Sequence, residues 1–368
     1  MTDETLLSYV IVGAVLDFPV PSTLKRFAGD VDVLAIDAAP EWRDRPHGVL
    51  GRLPFARVQT LEGLVGDGER KSYHRAVFSL SSSTRPSAET FRNWTSCRTD
   101  MRIRWSTGNA ANKTTAMDSR PLSELARDHG LASVDFVYTD IEGADLEALV
   151  SLGDMLGQQV VGVDSETQLE AMFEGQPLFP DLHAVMREAG FLVRDLSLGN
   201  WSPFRSFSGL GGGGFPISGH VRYIKHPDRL ETMADPVMAS LKAALLAISD
   251  TDLDYAATAV AAILKNPAHG ARARDLLFSP KREWMAFLGE FIRVAQAGSG
   301  VIFPDFIAGR FGDPISPDQL ETIRLHATDR PTQVEDLLRK YDLDDTAAAA
   351  ADQRVLAARE TLKMLSQR

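Results

Sequence analysis

Over its first two thirds the chain alternates short apolar runs with longer mixed segments. LSYVIVGA (7–14) and VDVLAIDA (31–38) are rich in β-branched residues and read as buried strands, with STLKRFAG between them as a short helix. SYHRAVFSL (72–80) reads as a third strand, VDFVYTDI (134–141) as a fourth, QQVVGVDSET (158–167) as a fifth and FLVRDLSL (191–198) as a sixth. GHVRYIKH (219–226) follows closely and suits an antiparallel edge strand. Helical spacing predicts helices at 144–153 and about 178–189, and Pro121 and Gly130 bracket another in MDSRPLSELARDHG. Such alternation predicts an α/β fold: an open, mostly parallel sheet with helices on both faces. The polar stretch 81–113 reads as a long insertion over the sheet, and SGLGGGGFP (208–216) as a flexible connection. Its run Gly211–Gly214 follows no strand-to-helix pattern, so it is a loop and not a phosphate cradle.

From about residue 230 the pattern changes to helical spacing alone. In DPVMASLKAALLAIS, Asp235 is placed to cap, Pro236 to open the first turn, and Val237, Leu241, Leu245 and Ile248 to form an apolar stripe. TDLDYAATAVAAILK repeats this logic, with further helices expected at 281–297, 317–327 and 331–341 and a long, weakly apolar one at the end. The expected organisation is a sheet domain over 1–229 and an all-helical module over 230–368.

Composition narrows the partners. The formal net charge is −11, with Lys and Arg spread out, so neither nucleic acid nor an anionic membrane surface is an expected partner. Cys97 is the only cysteine, which excludes an internal disulfide and suits a reducing cytoplasm. The N-terminal apolar run follows acids and reads as a strand, so it resembles neither a signal peptide nor a membrane span.

The candidate chemistry lies at the strand ends, where open parallel sheets bind ligands. The first strand ends in Gly13 and Ala14, a turn that a ligand can approach closely. The second ends in Asp37, a carboxylate able to take a ribose diol. The fourth ends in Asp140 and Glu142, and the fifth offers Asp164 and Glu166. Against function stands a structural account: Asp140 and Glu142 cap the helix that follows them. Acids are the donor type that divalent metals take, but solvated edge acids are the commoner origin of such a cluster, and no metal is assigned. His74 and His183 are expected to be structural or surface residues, and Trp94, Trp201 and Phe204 either line an acceptor pocket or pack in the core.

VDFVYTDIEGADLEAL resembles the vDflKiDvEGaElevL signature of FkbM-type methyltransferases, which use S-adenosylmethionine. The likeness continues through VVGVDSETQLEAMFEGQPLFPDLHAVMREAGFLVRDL and into HVRYIKHP, covering about 7–228 with its most specific part at 134–196. The resemblance implies a class I methyltransferase fold: seven strands, the last antiparallel, with the cofactor over the first two strand ends. It also implies methylation of a hydroxyl on a glycan or small metabolite. By position, Gly13 and Ala14 match the family's glycine turn, Asp37 its ribose-binding acid, and Asp140, Glu142 and Gly143 its Asp-x-Glu-Gly. Asp140, Glu142 and Glu166 are thereby candidate catalytic acids, and Gly13, Ala14, Asp37 and Gly143 candidate cofactor contacts. The chain departs from the pattern at the first turn, where IVGAVLD has Ile11 for a leading acid and Asp17 for a final glycine. Those departures fit a second reading, a methyltransferase fold kept to bind a sugar or a protein. The helical module leaves a protein partner or self-association open.

Overall fold

The computed structural model describes residues 5–13, 20–39, 49–76, 82–88, 111–201, 215–297, 336–341 and 343. Its strands are β1 (Leu7–Val12), β2 (Val31–Asp37), β3 (Arg57–Glu62), β4 (Leu64–Val65), β5 (Arg70–Ala76), β6 (Ala111–Arg120), β7 (Phe136–Thr139), β8 (Gly162–Gln168), β9 (Phe191–Trp201) and β10 (Phe215–Lys225). Seven of them form one sheet in the order β3-β2-β1-β7-β8-β10-β9. β10 runs antiparallel to both its neighbours, and the other pairings are parallel. This is the seven-stranded, mostly parallel α/β sheet of a class I methyltransferase. The chain steps outward from β1 to β3 and returns to β7, so the order reverses between β1 and β7. The carboxyl ends of those two strands flank the crevice where such sheets bind ligands.

The helices are α1 (Ser22–Arg26), α2 (Val49–Arg52), α3 (Leu122–Asp128), α4 (Asp145–Val150), α5 (Asp154–Gln158), α6 (Phe179–Glu188), α7 (Pro227–Leu230), α8 (Pro236–Ser249), α9 (Leu253–Lys265), α10 (Gly270–Phe278) and α11 (Glu283–Ala297). Two compact units result, one of residues 1–19 and 28–243, the other of 20–27 and 244–368.

In the first unit, alternate residues of the central strands (Val10, Val12, Leu34, Ile36) pack with Leu122 and Leu125 of α3, Leu149 of α4 and Leu182 and Met186 of α6. The residues between them, among them Tyr9, Ile11, Val33 and Ala35, are equally buried. Burial on both faces explains why these strands read as continuous apolar runs.

Three expectations need correction. The run read as a third strand is β5, and it pairs with β6 in a separate three-stranded sheet, β4-β6-β5. The third strand of the main sheet is β3, whose RVQTLE carries no apolar alternation because it is an edge strand with most of its residues exposed or half-buried. The antiparallel strand β10 is not the edge: it lies between β8 and β9. Accordingly Val221, Tyr223 and Ile224 of β10 are buried, and Leu192, Val193, Leu196 and Leu198 of β9 are exposed.

Asp235 caps α8 as its position suggests, its Oδ1 accepting from the amides of Val237 (3.2 Å) and Met238 (3.1 Å). The second unit contains no strand among its described residues. Its core gathers Trp284, Phe287, Leu288 and Phe291 of α11 with Phe27, whose ring centroid lies 5.5 Å from that of Phe287. A Cβ on Gly289 would lie 2.3 Å from the Leu277 carbonyl oxygen, so α10 and α11 cross at a glycine. α10 escaped the sequence reading because GARARDLLF is short and nearly neutral in hydropathy. The helices expected over 317–327 and at the chain end lie outside the described residues, as does the first half of 331–341, whose described residues 336–340 are helical.

Candidate active site

The site is organised by the turn from β7 into α4. The β1–β7 pairing is carried one step further by the Asp140 amide, which donates to the Val12 carbonyl at 3.0 Å. Gly13 follows at φ +91°, and a Cβ there would lie 2.0 Å from the Asp140 carbonyl oxygen. Only glycine allows the two strand ends to meet this closely. The next residues turn sharply: Glu142 has φ +56° and Gly143 φ +90°. A Cβ on Gly143 would lie 3.0 Å from the Phe173 ring, so the 172–176 segment rests directly on the turn.

Asp145, the first residue of α4, holds the turn closed. Its Oδ1 accepts from the Ile141 amide at 3.2 Å and its Oδ2 from the Gly143 amide at 3.3 Å. The structural account in which Asp140 and Glu142 cap this helix therefore fails: the N-cap is Ala144, and no side chain caps the helix. Burial and the charge of Asp140 push the Asp145 carboxyl up to about 7 despite the amide hydrogen bonds.

The other acids divide into two kinds. Oε2 of Glu142 and Oε2 of Glu166 are both enclosed and find no hydrogen-bond partner among the described residues. Burial raises both carboxyls well above the usual range. The charge of Asp140 adds to this for both, and Glu142 also acts on Glu166. Two enclosed carboxyls that repel each other do not both ionise near neutral pH. Asp140 is different. It is about one-third exposed, its Oδ2 accepts from the Tyr138 hydroxyl at 3.0 Å, and it lies 3.7 Å from Nε2 of His220. The other ring nitrogen of His220, Nδ1, is 3.3 Å from Oδ1 of Asp164.

Asp37 ends β2, nearly buried, with Oδ1 accepting from the Ala39 amide at 2.7 Å. Beside it, Tyr73 of β5 has its hydroxyl raised by burial and by the charge of Asp37, offset in part by Ser82.

A strap over residues 82–88 crosses the turn. The Ser83 hydroxyl donates to the Glu142 carbonyl at 2.6 Å, and the backbone of Ser83 pairs with His74 of β5. Arg85 donates to the Gly175 carbonyl at 2.7 Å, and Ser87 pairs with Phe173. Gln176 closes the arrangement, its Oε1 accepting from the amides of Met172 and Phe173, both at 2.6 Å, and its Nε2 donating to Gln168 at 2.8 Å. Part of the stretch read as an insertion over the sheet is thus built into the site.

The structure brings together Gly13, Asp140, Glu142, Gly143 and Glu166, with Asp37 one strand away at the end of β2. Ala14, Asp17, Trp94 and Phe204 lie outside the described residues. Among those residues no group of three or more His, Cys, Asp or Glu side chains is arranged to hold a metal ion. His74 bonds Thr114 across the hairpin at 3.1 Å, and His183 is stacked on Phe179 and Tyr223 rather than lying on an open surface. Sequence reasoning missed Asp145 and His220. The signal for Asp145 was an acid at the first position of the helix. For His220 it was the alternation of an antiparallel β10, which sets the residue opposite Glu166.

No curated protein matches the chain. A family model does: the methyltransferase FkbM domain aligns with residues 17–193, which hold Asp37 and every acid of the β7 and β8 ends but neither Gly13 nor His220. Over that stretch, just under half of the chain, the sequence is similar to the FkbM methyltransferase domain.

Proposed function

We propose that this chain is an S-adenosylmethionine-dependent O-methyltransferase that acts, in the cytoplasm, on a hydroxyl of a glycan or other small metabolite. The match to the FkbM methyltransferase domain supports methyl transfer in general. The observation that carries the finer reading is the acidic turn itself. Asp140, Glu142 and Glu166 stand at the carboxyl ends of β7 and β8, against a glycine that leaves no room for a side chain.

The residues fit the cofactor's chemistry. S-adenosylmethionine would supply an activated methyl group on a positively charged sulfonium. An end of the sheet lined by acids favours such a charge. Asp37, at the end of β2, would accept the ribose hydroxyls. Gly13 keeps the β1 turn low enough for a ligand to lie over the strand ends. Asp140, the most open of the central acids, would take the proton of the acceptor hydroxyl on its carboxylate, a contribution of about 10²–10⁴ in rate. Glu142 and Glu166, whose carboxyls burial raises, would donate and accept hydrogen bonds to neighbouring hydroxyls of a sugar.

Isothermal titration of the full chain with S-adenosylmethionine and S-adenosylhomocysteine tests this reading. Micromolar binding that weakens in Asp37→Ala supports it. A folded protein that binds neither overturns it, in favour of a fold retained to bind a sugar or a protein.

A further inference from the structure

His220 lies outside the stretch that matches the family and takes no part in the chemistry described so far. It is set on β10, the strand that turns back between β8 and β9, with Glu166 opposite it in register. The ring is stacked on Tyr138, centroids 5.8 Å apart and planes 16° from parallel. That stacking fixes the direction of both ring nitrogens. Nδ1 faces Asp164 Oδ1 at 3.3 Å, and Nε2 faces Asp140 Oδ2 at 3.7 Å. All three side chains are between one-fifth and about one-third exposed. A ring with a carboxylate at each nitrogen satisfies both only when each nitrogen carries a proton.

We propose that His220 is a positioning residue: as an imidazolium it links Asp164 to Asp140, and so keeps the Asp140 carboxylate aimed. The role rests on the methyl-transfer reading, because Asp140 is the acid placed there to take the acceptor's proton. The groups facing the ring are Tyr138 of β7, Asp140 just after it, Asp164 and Glu166 from β8, and Asp145 from the start of α4. Burial opposes the charged ring. The hydrogen bond to Asp164 and the charges of Asp164, Asp140 and Asp145 outweigh burial, leaving the imidazole above its ordinary value.

The arrangement predicts a loss of activity as pH rises through the titration of His220, because the neutral ring can serve only one of the two carboxylates as donor. The first measurement needs no cofactor: the pH titration of the His220 imidazole by NMR in the full chain. The expected midpoint lies above ~6.5 and falls in both Asp164→Asn and Asp140→Asn. A midpoint at or below that value, or one that ignores both substitutions, overturns the bridge. The second measurement is the pH–rate profile of His220→Asn, with His220→Gln as a second neutral variant against a folding defect. We expect kcat lower by about 10- to 100-fold and no alkaline limb assignable to position 220. A wild-type rate with a wild-type profile overturns the positioning role. Absence of cofactor binding alongside the expected titration would instead fail the methyl-transfer reading and leave the Asp164–His220–Asp140 bridge standing.

Discussion

Two groups of ionisable side chains stand at opposite ends of one sheet, and they are treated in opposite ways. At the amino ends of β1 and β7, Asp135 is almost wholly buried and fully partnered. Its Oδ2 accepts from the Ser8 amide at 2.8 Å and from Lys242 Nζ at 2.7 Å, and its Oδ1 accepts from the Ser133 hydroxyl at 2.7 Å. The Ser8 hydroxyl in turn accepts from the Asp135 amide at 2.9 Å. At the carboxyl ends of β7 and β8, Glu142 and Glu166 are enclosed without hydrogen-bond partners for Oε2 among the described residues. A buried acid kept for the fold is paired on every lone pair, because the desolvation of an unpaired charge is severe. Acids left unpaired store a cost that a ligand can relieve. The amino-end cluster ties a helix to the sheet, and the carboxyl-end cluster leaves buried carboxylate oxygens without such a tie.

Breaking the partnered cluster should have the largest effect on stability. Lys242→Met leaves Asp135 charged and buried, so urea unfolding should show a loss of about 3–5 kcal/mol, with cofactor affinity unchanged in the molecules that remain folded. A small loss would mean that the pair is no more than a surface bridge.

Breaking the carboxyl end should invert that result. Asp140→Asn should lower kcat by about 10²–10⁴-fold while the urea midpoint hardly moves. Equal losses in both would show that the acids serve the fold at both ends.

Gly13→Ala joins the two questions. The added Cβ meets the Asp140 carbonyl at 2.0 Å and the residue must keep φ +91°. A loss of about 1–3 kcal/mol should therefore accompany weakened cofactor binding, read by unfolding and titration on one sample. Tight binding in a destabilised variant would separate the turn from the cofactor.

The smallest effect is the sharpest in sign. Glu142 and Glu166 have folded values raised above their unfolded ones. The folded chain therefore holds more protons than the unfolded chain over that interval. Stability from these groups is fully present below the ordinary carboxylate range and is lost as pH rises through the raised values. The double variant Glu142→Gln, Glu166→Gln should flatten this decline and be the more stable protein at pH 8, by urea unfolding at pH 5 and 8. An unchanged slope would mean that neither carboxyl is protonated in the native state.

Local rules determined much of this protein. The doubly buried strands β1, β2 and β7 announced themselves as β-branched apolar runs, and the cap of α8 as Asp-Pro before an apolar stripe. The Asp-x-Glu-Gly turn and Asp37 were legible because a strand end followed by small or acidic residues is a short-range signal. Tertiary structure decided what depends on distant partners. β3 is a strand because β2 offers it a ladder, although RVQTLE has no period of its own. β10 became interior when β9 took the edge, and no pattern within either strand states that order. His220 is 80 residues from Asp140 in the chain and reaches it only because β10 reverses beside β8. The sequence by itself determined which acids stand at the strand ends. How far each is enclosed and which charges other strands bring beside it were decided by the tertiary structure, because a carboxyl's environment is set by its surroundings in space and not by its neighbours along the chain.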